Sequence, residues 1–208
     1  MDIVLATRNK KKVEEISRML RGMDINILTL DDLISCPEVE EDKDTFEENA
    51  VKKAVEIANC TNKIAIADDS GLEVYALNCA PGVKSARYAG EKASDAANIE
   101  KLLKEMEGIP DEKRGARFVC YIALAFPITL PTPPLKKGGQ GRVITFCGFA
   151  EGKIASRPRG RMGFGYDPIF YPSGYDKTFA EMLPEEKDAI SHRRKALEGL
   201  KDYLKRII

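Results

Sequence analysis

The chain has 208 residues, and its 33 Lys and Arg balance 33 Asp and Glu, so no global field draws it to nucleic acid or to a membrane surface. With 43% apolar and 32% charged residues it reads as an ordinary globular protein with enough chain to bury a sizeable core. Five cysteines, at 36, 60, 79, 120 and 147, include no CxxC pair and imply no disulfide framework; Cys120 and Cys147 fall inside strand-like runs and read as reduced core thiols. No run approaches the ~20 apolar residues of a membrane span, and the N-terminus lacks a signal-peptide pattern, so the cytoplasm is the expected compartment.

In chain order, the apolar run Ile3-Val4-Leu5-Ala6 reads as a buried strand that leads through Thr7-Arg8-Asn9 into a helix opened by Lys10, Lys11 and Lys12. Val13, Ile16, Met19 and Leu20 approximate one helix face, with Gly22 as the stop, and Ile25 to Leu30 reads as a second strand. Thr45 and Glu48 have capping-box spacing for a helix running to about Asn59. The run Lys63 to Asp68 is the next strand; it is expected to end at a turn, Asp68-Asp69-Ser70-Gly71, with Leu72 to Val74 as a possible continuation. Leu77 to Gly90 reads as a loop, and Ser94 caps a helix whose apolar face is Ile99, Leu102, Leu103 and Met106. Ala116 to Phe126 alternates clearly, with Val143 to Phe149 as its partner strand, and Pro127 to Gly141 between them is expected to be a flexible hairpin insert. A glycine-rich loop from Gly160, the short strand Ile169 to Tyr171, a helical turn after Pro184 and a last helix capped by Ser191 complete the chain. Helices interleaved with buried and alternating strands predict an α/β domain with a mixed sheet.

Four constellations carry chemistry. Strand, short polar loop and helix is the arrangement that aims backbone amides at phosphate, and three lysines beside the positive end of a helix dipole suit an anion there. The bland alternative is a solvated basic helix start, offset by Glu14 and Glu15. Asp68 and Asp69 at the end of a buried strand, with Glu40 and Glu41 upstream, supply hard oxygen ligands on two segments, which fits Mg²⁺, or an acid to take a proton from water. An Asx turn and a helix N-terminal charge are the corresponding plain readings. In Gly163-Phe164-Gly165 the glycines permit close backbone approach and Phe164 offers a face to a base, although a tight turn with Phe164 in the core explains the segment as well. His192, the only histidine, adjoins Arg193; a surface pair of this kind is usually idle, but both can donate to a keto oxygen on a base.

Taken together, Ile3-Val4-Leu5-Ala6-Thr7-Arg8-Asn9 with Lys12, Thr45-Phe46-Glu47-Glu48-Asn49-Ala50, Ala67-Asp68-Asp69-Ser70-Gly71-Leu72, Ala80-Pro81-Gly82 with Ser85-Ala86-Arg87-Tyr88, Gly163 to Phe170, and Ser191-His192-Arg193 resemble the Ham1/RdgB family of inosine triphosphate pyrophosphatases. The resemblance covers nearly the whole length. It implies a long central mixed sheet with helices forming two lobes around a nucleotide cleft, a homodimer, and Mg²⁺-dependent hydrolysis of ITP, dITP and XTP to the monophosphate and pyrophosphate. It further implies that Thr7, Arg8, Asn9, Lys10, Lys11 and Lys12 hold the triphosphate. Asp69 would be proton acceptor and metal ligand, with Ser70 touching substrate; Phe164, Gly165, Tyr166, Asp167, Lys187, His192 and Arg193 would line the nucleotide pocket. The upstream metal ligand falls on Glu40 or Glu41. Arg8 and Lys11 stand where many bacterial members carry glycine, and the insert is longer than expected. A Mg²⁺-dependent phosphatase of other nucleotides and a non-catalytic nucleotide sensor are the rival readings.

Overall fold

A computed structural model describes residues 1–33, 36–129 and 143–208. Six strands form one sheet, in the order β2-β1-β3-β4-β5-β6: β1 is Asp2–Leu5, β2 Asn26–Thr29, β3 Ile64–Val74, β4 Gly115–Ala125, β5 Val143–Ile154 and β6 Phe170–Pro172. β1 runs parallel to both β2 and β3, while β5 and β6 are antiparallel, so the sheet is mixed as its sequence pattern predicts. The described residues divide into two compact units, Met1–Asp69 with Cys120–Cys147 and Lys195–Ile208, and Ser70–Val119 with Gly148–Arg194.

In the first unit, strand parity sorts the core. Ile3, Leu5, Ile64, Ile66, Cys120, Ile122 and Leu124 share one cluster, while Val4, Ala6, Ala65, Ala67, Ala123 and Ala125 share another. Both faces of these strands are buried, as in a sheet covered by helices on both sides rather than a half-solvated one. The first cluster is covered by α1 (Lys10–Met19), through Ile16 and Met19, and by α5 (His192–Leu204), through Leu197, Leu200 and Leu204. The second is covered by α2 (Phe46–Thr61), whose Ala50, Ala54 and Ala58 are fully buried and let the helix approach closely. Asn9 caps α1, accepting from the N–H groups of Lys11 (3.1 Å) and Lys12 (3.2 Å), and Gly22 beyond it adopts φ +87°. Thr45 caps α2, accepting from Glu48 N–H at 3.2 Å.

In the second unit, Leu72, Val74, Phe118, Phe170 and Phe179 join Ile99, Leu102 and Met106, which lie on or at the end of α3 (Asp95–Glu105). Ser94 caps that helix through Ala97 N–H. A seven-residue helix, α4 (Pro184–Ile190), precedes α5.

Several expectations need correction. No turn interrupts β3: it continues through Ser70 and Gly71 because Leu72 and Val74 are fully buried, and the Leu72 N–H is satisfied by Ser85 Oγ at 2.9 Å. The expected loop at 77–90 contains a 3-10 helix, Gly82–Arg87. Cys36 and Cys60 form a disulfide with Cα atoms 6.1 Å apart, a pairing of a loop with the last turn of α2 that spacing alone cannot reveal. Cys147 is exposed, not a core thiol, whereas Cys120 is buried. Of the Pro127 to Gly141 insert, positions 130–141 lie outside the described residues. Among the described residues, no helix is long and apolar enough to cross a membrane.

Candidate functional site

The order β2-β1-β3 places β1 at a topological switch point, where the chain leaves it to one side through α1 and returns on the other as β3. Crevices at such points, outside the carboxyl ends of parallel strands, are where open α/β sheets take ligands. β1 pairs with β3 as far as Leu5 with Ile66, so Asp68 and Asp69 come just past the end of β1. Adjacent strand residues point to opposite faces, and the two acids separate accordingly. Asp68 follows the parity of Ile66 and meets α1: its carboxylate forms an ion pair with Lys12 and accepts the Cys120 S–H at 3.0 Å. Asp69 follows Ala67 toward α2, where Lys53 Nζ stands 3.7 Å from its Oδ1. Lys53 also pairs with Glu41 and donates to the Asp68 carbonyl at 2.8 Å.

This group is thus three carboxylates interleaved with two ammonium ions, mostly buried. Burial pushes the Asp69 carboxyl up to about 6; Lys53 and Lys12 oppose the rise, while Glu41 and Asp68 add to it. A carboxyl in that range suits a proton acceptor near neutrality. Among the described residues, no three His, Cys, Asp or Glu side chains converge as a ready-made metal cage. Mg²⁺ asks for less, one or two carboxylates with the remaining positions filled by water and phosphate oxygens, and Asp69 with Glu41 fits that donor set. Glu40 is exposed, and Glu41 is the acid that reaches Lys53 and Asp69.

The Thr7 to Lys12 loop differs from its expected form. Thr7 Oγ1 takes the Asn9 N–H at 3.2 Å, and Asn9 takes those of Lys11 and Lys12, so side chains of the loop already engage amides that were expected to face phosphate. Arg8 is turned toward Asp31 (3.7 Å) and the Cys36 carbonyl (3.2 Å). Lys10 and Lys11 are exposed, and Lys12 is placed against Asp68.

A second group lies wholly in the other unit. Asp167, 2% exposed, accepts from Lys187 Nζ at 2.6 Å and from Phe164 N–H at 2.9 Å. Gly163 adopts φ +72°, and a Cβ there would overlap the same Asp167 oxygen, so glycine is required. Phe164 is half-buried rather than in the core, with Lys187 Nζ 4.9 Å and Arg193 Cζ 5.8 Å from its ring centre. His192 and Arg193 are buried, not a surface pair: His192 stacks on Phe118 at 4.8 Å, and Arg193 donates to Ser70 Oγ at 2.9 Å. Tyr166 donates its hydroxyl to the Ser85 carbonyl (2.9 Å), and Gly165 N–H reaches Asp95 (2.8 Å). The loop therefore offers an aromatic face, and buried side chains of α4 and α5 offer donors beside it.

Lys53 is the residue that motif reading passes over. Its signal was present: it sits at the spacing of Phe46, Asn49, Ala50, Ala54 and Ile57, a lysine on the buried face of α2. Cys120 and Asp95 carried no comparable signal, since each acts through a long-range hydrogen bond.

A mixed sheet with a switch point flanked by acids and lysines, and a separate loop offering an aromatic face and donors, defines an α/β protein of nucleotide-binding architecture. The chain belongs to the Ham1 family, whose model matches residues 3–203. It is 51% identical over 202 residues to a dITP/XTP pyrophosphatase of Geobacter sulfurreducens, covering 97% of this chain and 96% of the relative. It is 47% identical to one of Oceanobacillus iheyensis, covering 97% of each. Among solved structures, a HAM1 protein from Coxiella burnetii superposes with TM-score 0.86 at 44% identity over 99% of both chains. The Ham1 protein of Staphylococcus aureus gives 0.83 at 42% identity over the full length of both.

Proposed function

We propose that this chain is a nucleoside triphosphate pyrophosphohydrolase that converts ITP, dITP and XTP with water to the monophosphate and pyrophosphate. The observation that carries the proposal is Asp69, buried beside Lys12 and Lys53 with its carboxyl raised to about 6, in a Ham1-family chain whose relatives are named dITP/XTP pyrophosphatases. In this reading Asp69 accepts the proton of the water that attacks the α-phosphorus, the bond to the bridging oxygen breaks, and pyrophosphate leaves. Lys12 and Lys53 offset charge developing on the phosphate oxygens, where fixed cations count most because they need no reorganisation. Asp69 and Glu41 would hold Mg²⁺, which when bound supplies Lewis-acid stabilisation of those oxygens.

The base falls to the second group. Phe164 gives the stacking face, while Lys187, His192 and Arg193 supply donors that match a 6-keto oxygen. Against the 6-amino group of adenine each buried donor left unsatisfied costs about 1–3 kcal/mol. The proposal includes action as a homodimer, testable by sedimentation.

The deciding experiment is pyrophosphate release from ITP, XTP, GTP and ATP, with and without Mg²⁺. ITP and XTP turning over fastest, and only with the metal, is the expected result. Equal rates on ATP and ITP would overturn the base assignment, and binding of ITP without turnover would overturn the enzymatic reading.

A further inference from the structure

A cavity of about 750 Å³ lies within the second unit, lined by none of the site residues assigned above. Ile154 and Ala155, the buried residues of its lining, form its floor, and their backbone is held tightly. Arg114, 7% exposed, donates Nε to the Ile154 carbonyl at 2.9 Å and Nη2 to that of Ala155 at 2.9 Å; its Nη1 reaches the carbonyls of Met106 (3.0 Å) and Ile109 (3.3 Å). The Ile154 N–H returns to the Arg114 carbonyl and the Ala155 N–H to that of Ile169, so both floor residues are tied on either side. Among the described residues the guanidinium meets only carbonyls, two of them from residues that line the cavity, and its charge adds to the local positive potential.

Lys153, Arg157 and Arg159 stand around this floor. Among the described residues none of the three forms an ion pair. Their backbone is fixed even though their side chains are exposed. Lys153 is opposite Tyr171 in the β5–β6 register, and Arg159 donates its N–H to the Pro168 carbonyl (2.8 Å) while its own carbonyl accepts from the buried Thr178 hydroxyl (3.0 Å). Unpaired cations held on an ordered frame around a concavity are an anion site whose ordering cost is partly met in advance.

The remaining lining residues narrow the ligand. Tyr171 and the half-exposed Tyr175 present aromatic surface at the same cavity. Asp111 and Asp176 also line it, and carboxylates there work against a bare polyphosphate but accept from ribose hydroxyls or an exocyclic amine. The volume falls in the roughly 300–1,000 Å³ range of small-molecule sites. We propose that this cavity is a second nucleotide site, which takes a mononucleotide with its phosphate on Arg157, Arg159 and Lys153 and its base against the tyrosines. The inference stands on this cavity alone and does not rest on the proposed hydrolysis.

The test is calorimetric titration of the full-length, metal-free protein with AMP, whose 6-amino base the Phe164 group disfavours, and in parallel with inorganic pyrophosphate. Saturable AMP binding is expected to weaken by about tenfold or more in Arg157→Ala/Arg159→Ala and severalfold in Tyr175→Ala, and to be unchanged in Phe164→Ala. All of these positions are partly or fully exposed, and Lys153→Glu serves as an independent variant should the double substitution fail to fold. No saturable binding at millimolar AMP, binding indifferent to the arginine and lysine substitutions, or binding lost in Phe164→Ala would overturn the site. Pyrophosphate binding as tightly as AMP and weakened to the same degree by Arg157→Ala/Arg159→Ala would overturn the nucleotide as its ligand.

Discussion

Replacing Asp69 by Asn should make the metal-free protein more stable while abolishing turnover. The carboxyl is displaced from its ordinary 3.8 to about 6, chiefly because burial strips water from the charged form. Sign follows directly: with the folded pKa above the unfolded one, the native state binds more protons through that interval, so stability falls as pH rises from about 4 to about 6 and the loss is complete above it. A displacement of this size corresponds to about 3 kcal/mol at pH 7–8. Asn approximates the neutral acid at every pH. Urea unfolding in EDTA should therefore show the variant more stable by roughly 2–3 kcal/mol at pH 8 and nearly equal to the wild type at pH 4. An Asn variant no more stable than the wild type at pH 8, or a gain of the same size at both pH values, would refute the claim that the fold holds this charge at a cost.

Other perturbations probe the remaining parts. Lys187→Met removes the ammonium paired with the buried Asp167 carboxylate and should cost about 3–5 kcal/mol by urea unfolding, with Lys187→Met/Asp167→Leu recovering much of the loss. Cys120→Ala removes the S–H that orders Asp68 against Lys12; it should lower kcat/KM for ITP roughly fivefold, the worth of about 1 kcal/mol, with Cys120→Ser restoring most of it. Reduction of the Cys36–Cys60 bridge should lower stability by about 3 kcal/mol on the loop-entropy account, seen as a shift of the urea midpoint with dithiothreitol.

Local chemistry made much of the fold legible. Thr45, Ser94 and Gly22 mark helix ends because capping and left-handed conformations act within a few residues, and the alternation in Ala116 to Phe126 follows from strand geometry. Tertiary packing decided the rest. Ser70-Gly71 has the composition of a turn, yet burial of Leu72 and Val74 outweighs it and keeps β3 unbroken. The acids at 68 and 69 were visible as a pair, whereas their division between α1 and α2 required knowing which core each face of β3 meets. The disulfide and the burial of His192 and Arg193 depend on contacts far apart in sequence, which no local spacing encodes; spacing marks Lys53 as a lysine on the buried face of α2 without naming the distant acids it meets.

The bridge from Cys36 to Cys60 makes a covalent ring of the segment that contains Glu41, the Thr45 cap and Lys53. A protease that nicks the backbone anywhere from Pro37 to Asn59 releases nothing: the two fragments stay tethered through sulfur and migrate as one species until a thiol separates them. Nicked molecules can thus keep both residues of the Glu41–Lys53 pair in a single particle after their peptide continuity is gone.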